Sequence, residues 1–229
     1  MILRANLPRI CKIAQVSPRV LDIGGWQQPF NLATHVVDLM PYVTRRQKDA
    51  IDPEHEPRFS AATWVVQDAC TPPYPFPDKF FDFCFCSHTL EDLRDPLAVC
   101  REMVRVSKAG YIETPSRARE IFCNRRGFAL RAAFGNIPQV GYDHHRWFVE
   151  IERNHVRFTI KDQRLLASRK NFLTKSDLGR KMTEAESGAA LFWEDGFTFE
   201  EAQLDDPQRQ LREFRDATLR RLSSETRAI

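Results

Sequence analysis

No stretch of this chain holds the roughly 20 consecutive apolar residues that a membrane-spanning helix requires. The opening segment MILRANLPRICKIAQ breaks its hydrophobics with Arg4, Pro8, Arg9 and Lys12, which is not the pattern of a secretory leader. The expectation is a cytoplasmic chain with no membrane partner. Cysteines are few, and none of the six has the C-x-x-C spacing of a zinc or redox site. Cys84 and Cys86 alternate within FFDFCFCSH, so a strand there puts both on one face as buried reduced thiols. An excess of one charge is missing as well. The 34 Lys and Arg nearly balance 31 Asp and Glu, leaving +3. A dedicated nucleic-acid binder concentrates basic residues on one face; the balance argues against such a role without excluding it. No internal repeat and no low-complexity tract is present. A G-x-G-x-x-G turn after a strand is also absent. The closest approach, Gly24-Gly25-Trp26-Gln27, cannot bring a helix terminus to a pyrophosphate, which counts against a nicotinamide-dependent oxidoreductase.

What is present is enough apolar material for one core. The 229 residues are 42% hydrophobic and include 17 Phe, so one domain with an elaboration is expected rather than two domains. Short apolar runs alternate with helical stretches, the signature of a mostly parallel sheet covered on both faces. Strands are predicted at Arg19 to Ile23, Thr34 to Leu39, the run ending near Asp68, FFDFCFCSH and Gly110 to Pro115. Between the first two there is little room for a helix. From Asp95 the period turns helical, with Pro96 in the first turn and Leu97, Cys100, Met103 and Val104 on one face. Beyond Pro115, RWFVEIERNHVRFTIKD reads as a hairpin about Arg153-Asn154, and ALFWEDGFTFEEAQL as a strand pair turning at Asp195-Gly196. An arginine-rich amphipathic helix, Pro207 to Ser223, closes the chain. The predicted fold is α/β, Rossmann-like and doubly wound, with a mostly parallel seven-stranded sheet and a hairpin inserted after the fifth strand. A core at about 15–115 carries a substrate-side insertion at about 116–175 and a terminal strand pair and helix at about 188–225.

In an open parallel sheet, ligands settle beyond the carboxyl ends of the strands. The residues there are Asp22, Gly24 and Gly25 after the first strand, Asp38 after the second, Asp68 and Ala69 after the third, and Ser87 and His88 after the fourth. Glycines let a ligand approach the backbone, one acid can accept both ribose hydroxyl protons, and another can take an adenine amino proton. Three carboxylates suit a nucleoside carrying positive rather than negative charge.

Residues Arg19 to Pro115, and above all PFPDKFFDFCFCSHTLEDLRDPLAVCREMVRVSKAGYIETPS, resemble the class I S-adenosylmethionine-dependent methyltransferases, closest to the small type 11 members. The resemblance implies S-adenosylmethionine as cofactor. It implies that Asp22, Gly24 and Gly25 belong to the first motif, Asp38 to the ribose acid, Asp68 to the adenine contact, and Ser87 and His88 to the segment facing the methyl; Trp26, Leu39 and Ala69, beside them in sequence, complete the expected cofactor-binding set. The chain departs from the family where Trp26 and Gln28 fill two glycine positions and where Asp92 replaces a common histidine. An indole at position 26 can block the methionine end, lie against the sulfonium as a cation–π contact, or pack beside the loop. Methyl transfer to a hydroxyl needs a base, for which His88 and His145, beside His144 in GYDHHRWF, are candidates. Metal binding by Asp143, His144 and His145 is not expected, because adjacent residues of a strand point to opposite faces. The reading is a methyltransferase acting on a small molecule or glycan at oxygen. The alternatives are a non-catalytic binding or scaffold protein of the same fold, or an enzyme acting on protein or on RNA through the arginines of SRAREIFCNRRGFALRAAF.

Overall fold

The computed structural model describes residues 2–123, 140–203 and 205–226. Helix α1 (Leu7–Val16) precedes β1 (Val20–Ile23), β2 (His35–Asp38), β3 (Trp64–Val66) and β4 (Phe83–Ser87). Helix α2 (Pro96–Val106) leads into β5 (Ala109–Pro115), followed by the single-turn α3 (Arg117–Glu120) and β6 (Phe122–Cys123). The hairpin β7 (Trp147–Glu152) and β8 (His155–Ile160), then β9 (Leu173–Thr174), β10 (Gly188–Glu194), β11 (Thr198–Ala202) and a closing helix, Pro207–Thr226, complete the chain.

The main sheet has the order β10-β5-β4-β1-β2-β3, parallel except for β10, which runs antiparallel to β5. This order reverses between β1 and β4, as in a doubly wound sheet. Every residue of β1 is buried, and so are the first four of β4. The period of two then sorts side chains between two layers. Leu21, Ile23, Cys84, Cys86 and Ile112 meet Val99, Cys100, Met103 and Val106 of α2 on one face. Val20, Val36, Phe83, Phe85 and Tyr111 meet Ile10, Cys11 and Ala14 of α1 on the other. All six cysteines are buried free thiols.

Among the described residues the sheet has six strands, not the seven expected. The second half of ALFWEDGFTFEEAQL is the reason. Instead of folding back beside β10, β11 crosses to lie parallel to β8, making a separate sheet β11-β8-β7. Its hairpin turns at Arg153-Asn154, as the alternation indicates. Trp147 and Val149 face the main core while Phe148 faces a satellite core, built with Ile121, Phe122, Leu173 and Leu211 of the closing helix. Among the described residues, no helix is long and apolar enough to cross a membrane.

The link from β1 to β2 contains no helix. Phe30, Leu32 and Ala33 do the covering instead, buried in the α1 layer, with the Phe30 ring 4.7 Å from that of Phe85. Asp52, fully buried, fixes this link by accepting the Asn31 N–H at 2.6 Å and the Leu32 N–H at 3.1 Å. Burial outweighs those bonds and pushes its carboxyl up to about 6. Because one link carries a whole stretch of the core, Phe30→Ala should cost about 3–5 kcal/mol in a urea titration, as full truncation of a buried aromatic does. Val43→Ala, at an 84% exposed position, should stay within about 0.5 kcal/mol. A loss below about 1 kcal/mol at Phe30 would contradict this role.

Candidate active site

The loops after β1, β2, β3 and β4 surround a crevice of about 630 Å³, whose walls include Gly24, Trp26, Asp38, Leu39, Asp68 and Ala69. Local backbone needs explain how these residues reach it. Gly24 has φ +81°, and a Cβ there would meet Thr89 Oγ1 at 2.3 Å, so only glycine lets the first loop lie against the segment after β4. A Cβ on Gly25 would fall 2.2 Å from Asp22 Oδ2. Asp22 itself points to the α1 side of the sheet, where it is buried and accepts the Phe30 N–H at 3.1 Å. Burial pushes its carboxyl well above the ordinary range. Asp22, Gly25 and Ser87, assigned to the cofactor by resemblance, are therefore not on the crevice wall. The first two shape the loop from behind, and Ser87 still belongs to β4.

Asp38 stands at the tip of β2. Its Oδ2 accepts the Trp26 N–H at 2.9 Å and its Oδ1 the Met40 N–H at 2.7 Å, which leaves each oxygen a second lone pair for a ligand hydroxyl. Burial raises its carboxyl above the ordinary range against those two bonds. Asp68 accepts the Cys70 N–H at 2.8 Å and pairs with Arg94 at 3.1 Å; the Cys70 N–H is the main cause of a carboxyl held below its usual range, with Arg94 adding to it. Leu39, on the crevice lip, is 65% exposed, an apolar surface of the kind a nucleobase covers. The Trp26 indole stands on the wall without filling the space. It packs with the α1 layer, and its Nε1–H donates to Thr44 Oγ1 at 3.0 Å. These residues fit an adenosine cofactor: a backbone with no room for side chains, a ribose acid with spare lone pairs, and an uncovered apolar lip.

His88, His144 and His145 line the other end of the crevice, with Asp92 and Tyr142. His88 has φ 51°, a left-handed conformation uncommon outside glycine. Its ring sits between Glu113, 3.3 Å from Nε2, and Glu91, 3.4 Å from Nδ1. Burial lowers its pKa, but the hydrogen bonds to Glu113 and Glu91 more than reverse this, to about 9. With Glu113 and Glu91 against its two ring nitrogens, His88 is held towards its protonated form, which counts against the base role expected at that position.

His145 is built differently. It is 7% exposed, stacked on Tyr142 at 4.6 Å, with Nδ1 2.6 Å from Glu120 Oε1. Glu120 also receives Nζ of the buried Lys161. Burial would raise the Glu120 carboxyl, yet the His145 hydrogen bond and the Lys161 charge hold it below its ordinary range. Glu120 thus holds Nδ1 of the ring, and Nε2 lies on the Asp92 side, 3.7 Å from Oδ1. Two bonds across the chain set this arrangement: Arg146 N donates to Glu91 O at 2.8 Å, and Trp147 Nε1 donates to Leu93 O at 2.8 Å, one on each side of Asp92.

Sequence reasoning missed Thr89, Leu93, Tyr142 and the Glu120–Lys161 pair. Glu120 lies 25 and 41 residues from its two partners, and no local spacing records that contact. Of the arginines proposed for RNA, Arg117 is engaged with Glu150 at 2.8 Å, Arg119 lies over the Tyr142 ring, and Arg125, Arg126 and Arg131 fall outside the described residues. A second cavity of about 320 Å³ adjoins the crevice, shares His88 and Tyr142 with it, and is lined further by Leu3, Arg119, Phe122 and Met182. A groove of about 660 Å³ lies by β8, β11 and the closing helix, but its Arg157 and Arg117 are paired with Glu200 and Glu150, and it is remote in sequence from every strand-tip residue.

The methyltransferase domain family matches residues 23–112. No curated protein sequence matches the chain. Among solved structures it is similar to an S-adenosylmethionine-dependent methyltransferase from Mesorhizobium loti, at 14% identity over 69% of this chain and 65% of that one, TM-score 0.36. A putative methyltransferase from Bacillus halodurans matches at 14% identity over 64% and 71%, TM-score 0.35. The [4+2]-cyclase SpnF matches at 18% identity over 52% of this chain, TM-score 0.33, and there the chain spans 45% of the other protein's length. Similarities this loose add nothing to the assignment, which rests on the matched segment and the crevice it builds. Residues 23–112 match the methyltransferase domain family, and that match supports an S-adenosylmethionine-dependent methyltransferase, with S-adenosylmethionine as the cofactor the family implies.

Proposed function

We propose that the protein methylates an oxygen of a small molecule. The observation that carries this reading is that Asp38 and His145 line one cavity, a ribose-type carboxylate at one end and a carboxylate-oriented imidazole at the other. S-adenosylmethionine, when bound, supplies a methyl group on a positively charged sulfur. Asp38 would accept the ribose hydroxyls with its free lone pairs, Leu39 and Ala69 would cover the base, and Asp68 would accept its amino proton.

Displacement at the methyl carbon requires the acceptor oxygen about 3–3.5 Å away and in line. What would then fall to the chain's own residues is to hold that oxygen and take up its hydroxyl proton. His145 is the residue we assign to activating that hydroxyl, since Glu120 fixes its Nδ1–H and turns Nε2 towards the crevice. His88, with Glu113 and Glu91 at its two ring nitrogens, would set the charge beside the acceptor rather than donate to it. The adjoining cavity of about 320 Å³, apolar at Leu3, Phe122 and Met182, has the volume for a small molecule, which favours that class over a nucleic acid or protein acceptor.

Calorimetry with S-adenosylhomocysteine should give binding at one site, and Asp38→Ala should weaken it by at least about tenfold through lost hydrogen bonds. Absence of heat and of any thermal shift at millimolar ligand would end the cofactor reading. With any hydroxylated acceptor that takes labelled methyl, His145→Ala should lower kcat by about 10²–10⁴ while leaving S-adenosylhomocysteine affinity within about twofold. Unchanged turnover would remove His145 from the reaction.

A further inference from the structure

We propose that Asp92, His144 and His145 bind a divalent transition-metal ion, which holds the acceptor oxygen; this deepens the methyltransferase reading and rests on it. One ligand atom from each of the three lies within 4.8 Å of the other two. Adjacent histidines diverge on a strand, but these two lie on a loop, before β7 begins at Trp147, and their rings meet edge to face at 4.5 Å. The expectation that neighbours in sequence cannot share an ion does not apply to that backbone.

Two further observations point to a cation. Asp92 Oδ1 is buried, and among the described residues no group donates a hydrogen bond to it. It faces His145 Nε2 at 3.7 Å, too long for a hydrogen bond. A cation set between the two would give that carboxylate oxygen the partner it lacks. In addition, His145 has the support that metal-binding histidines have, a carboxylate on the far ring nitrogen, and Lys161 balances that carboxylate.

With bonds of about 2.0–2.2 Å, ligand atoms stand about 3–3.5 Å apart, so the cluster must close by about 1 Å. His144, with a side chain 64% exposed, has room to do so. Two imidazoles and one carboxylate suit Zn²⁺, Fe²⁺ or Mn²⁺ better than Mg²⁺ or Ca²⁺, and they leave positions open on the crevice side. A bound hydroxyl would lose its proton to water more readily beside the ion, so that His145 acts as a ligand rather than as a base. The trio Cys11, Glu54 and His55, in which Cys11 is buried, also converges. Burial, with Asp52 and Glu54 nearby, pushes the Cys11 thiol up to about 11, which disfavours the thiolate a metal needs.

The test is calorimetric titration of chelator-treated full-length protein with ZnSO₄, with S-adenosylhomocysteine titrated in parallel. One zinc per chain is expected, weakened at least 30-fold by His144→Ala and by Asp92→Asn and unchanged by His55→Ala. His144 is exposed, so its variant should keep the wild-type melting temperature and serves where Asp92→Asn fails to fold. No zinc binding, or equal binding by wild type and His144→Ala, overturns the proposal. If S-adenosylhomocysteine binds while zinc does not, the cation alone is lost and His145 stands as a base. If S-adenosylhomocysteine does not bind, the methyltransferase reading fails whatever zinc does.

Discussion

The crevice depends on strand-tip carboxylates that turn back onto the amides of neighbouring loops. Asp22 holds Phe30, Asp38 holds both Trp26 and Met40, and Asp68 holds Cys70. A hydrogen bond to a charged acceptor is stronger than one between neutral groups, and here it also ties down backbone that no helix supports. The consequence is specific at Asp38. Its bond to Trp26 N ties the β1 loop to the end of β2, and both Trp26 and Asp38 stand on the crevice wall.

A second constraint joins the later half of the chain to that crevice. The hairpin strand β7 packs Trp147 and Val149 into the main core, and the bonds from Arg146 and Trp147 to the carbonyls of Glu91 and Leu93 bring the preceding loop against Asp92. Glu120 and Lys161 then set the ring of His145. Burying an ion pair is costly in itself, and removing one member leaves an unpaired charge. Its retention beside a histidine in the crevice is accounted for by orientation of the ring. The same packing thus builds the satellite core and the reacting end of the site.

Much of this was legible from local pattern. The apolar continuity of FFDFCFCS marked the central strand, and the short interval from Ile23 to Thr34 excluded a helix there. Asp38, Leu39, Asp68 and Ala69 followed from their places after strands. What failed did so for want of non-local information. Alternation identified β11 as a strand, but nothing in it records that β11 pairs with β8 rather than with the main sheet. Asp22 ends the first strand as a ligand acid would, yet one step of the two-residue period turns it to the buried face. His88 has the position of a base, but Glu91 and Glu113, one of them 25 residues away on the next strand, face its two ring nitrogens and favour its protonated form. The Glu120–Lys161 pair left no trace in spacing at all.

A crystal structure of the protein soaked with S-adenosylhomocysteine tests the central claim most directly. The account requires both ribose hydroxyls within hydrogen-bonding distance of the Asp38 carboxylate, the base over Leu39, and the sulfur towards His145. A nucleoside bound elsewhere, or one in this crevice with Asp38 still engaged only by Trp26 and Met40, would contradict it.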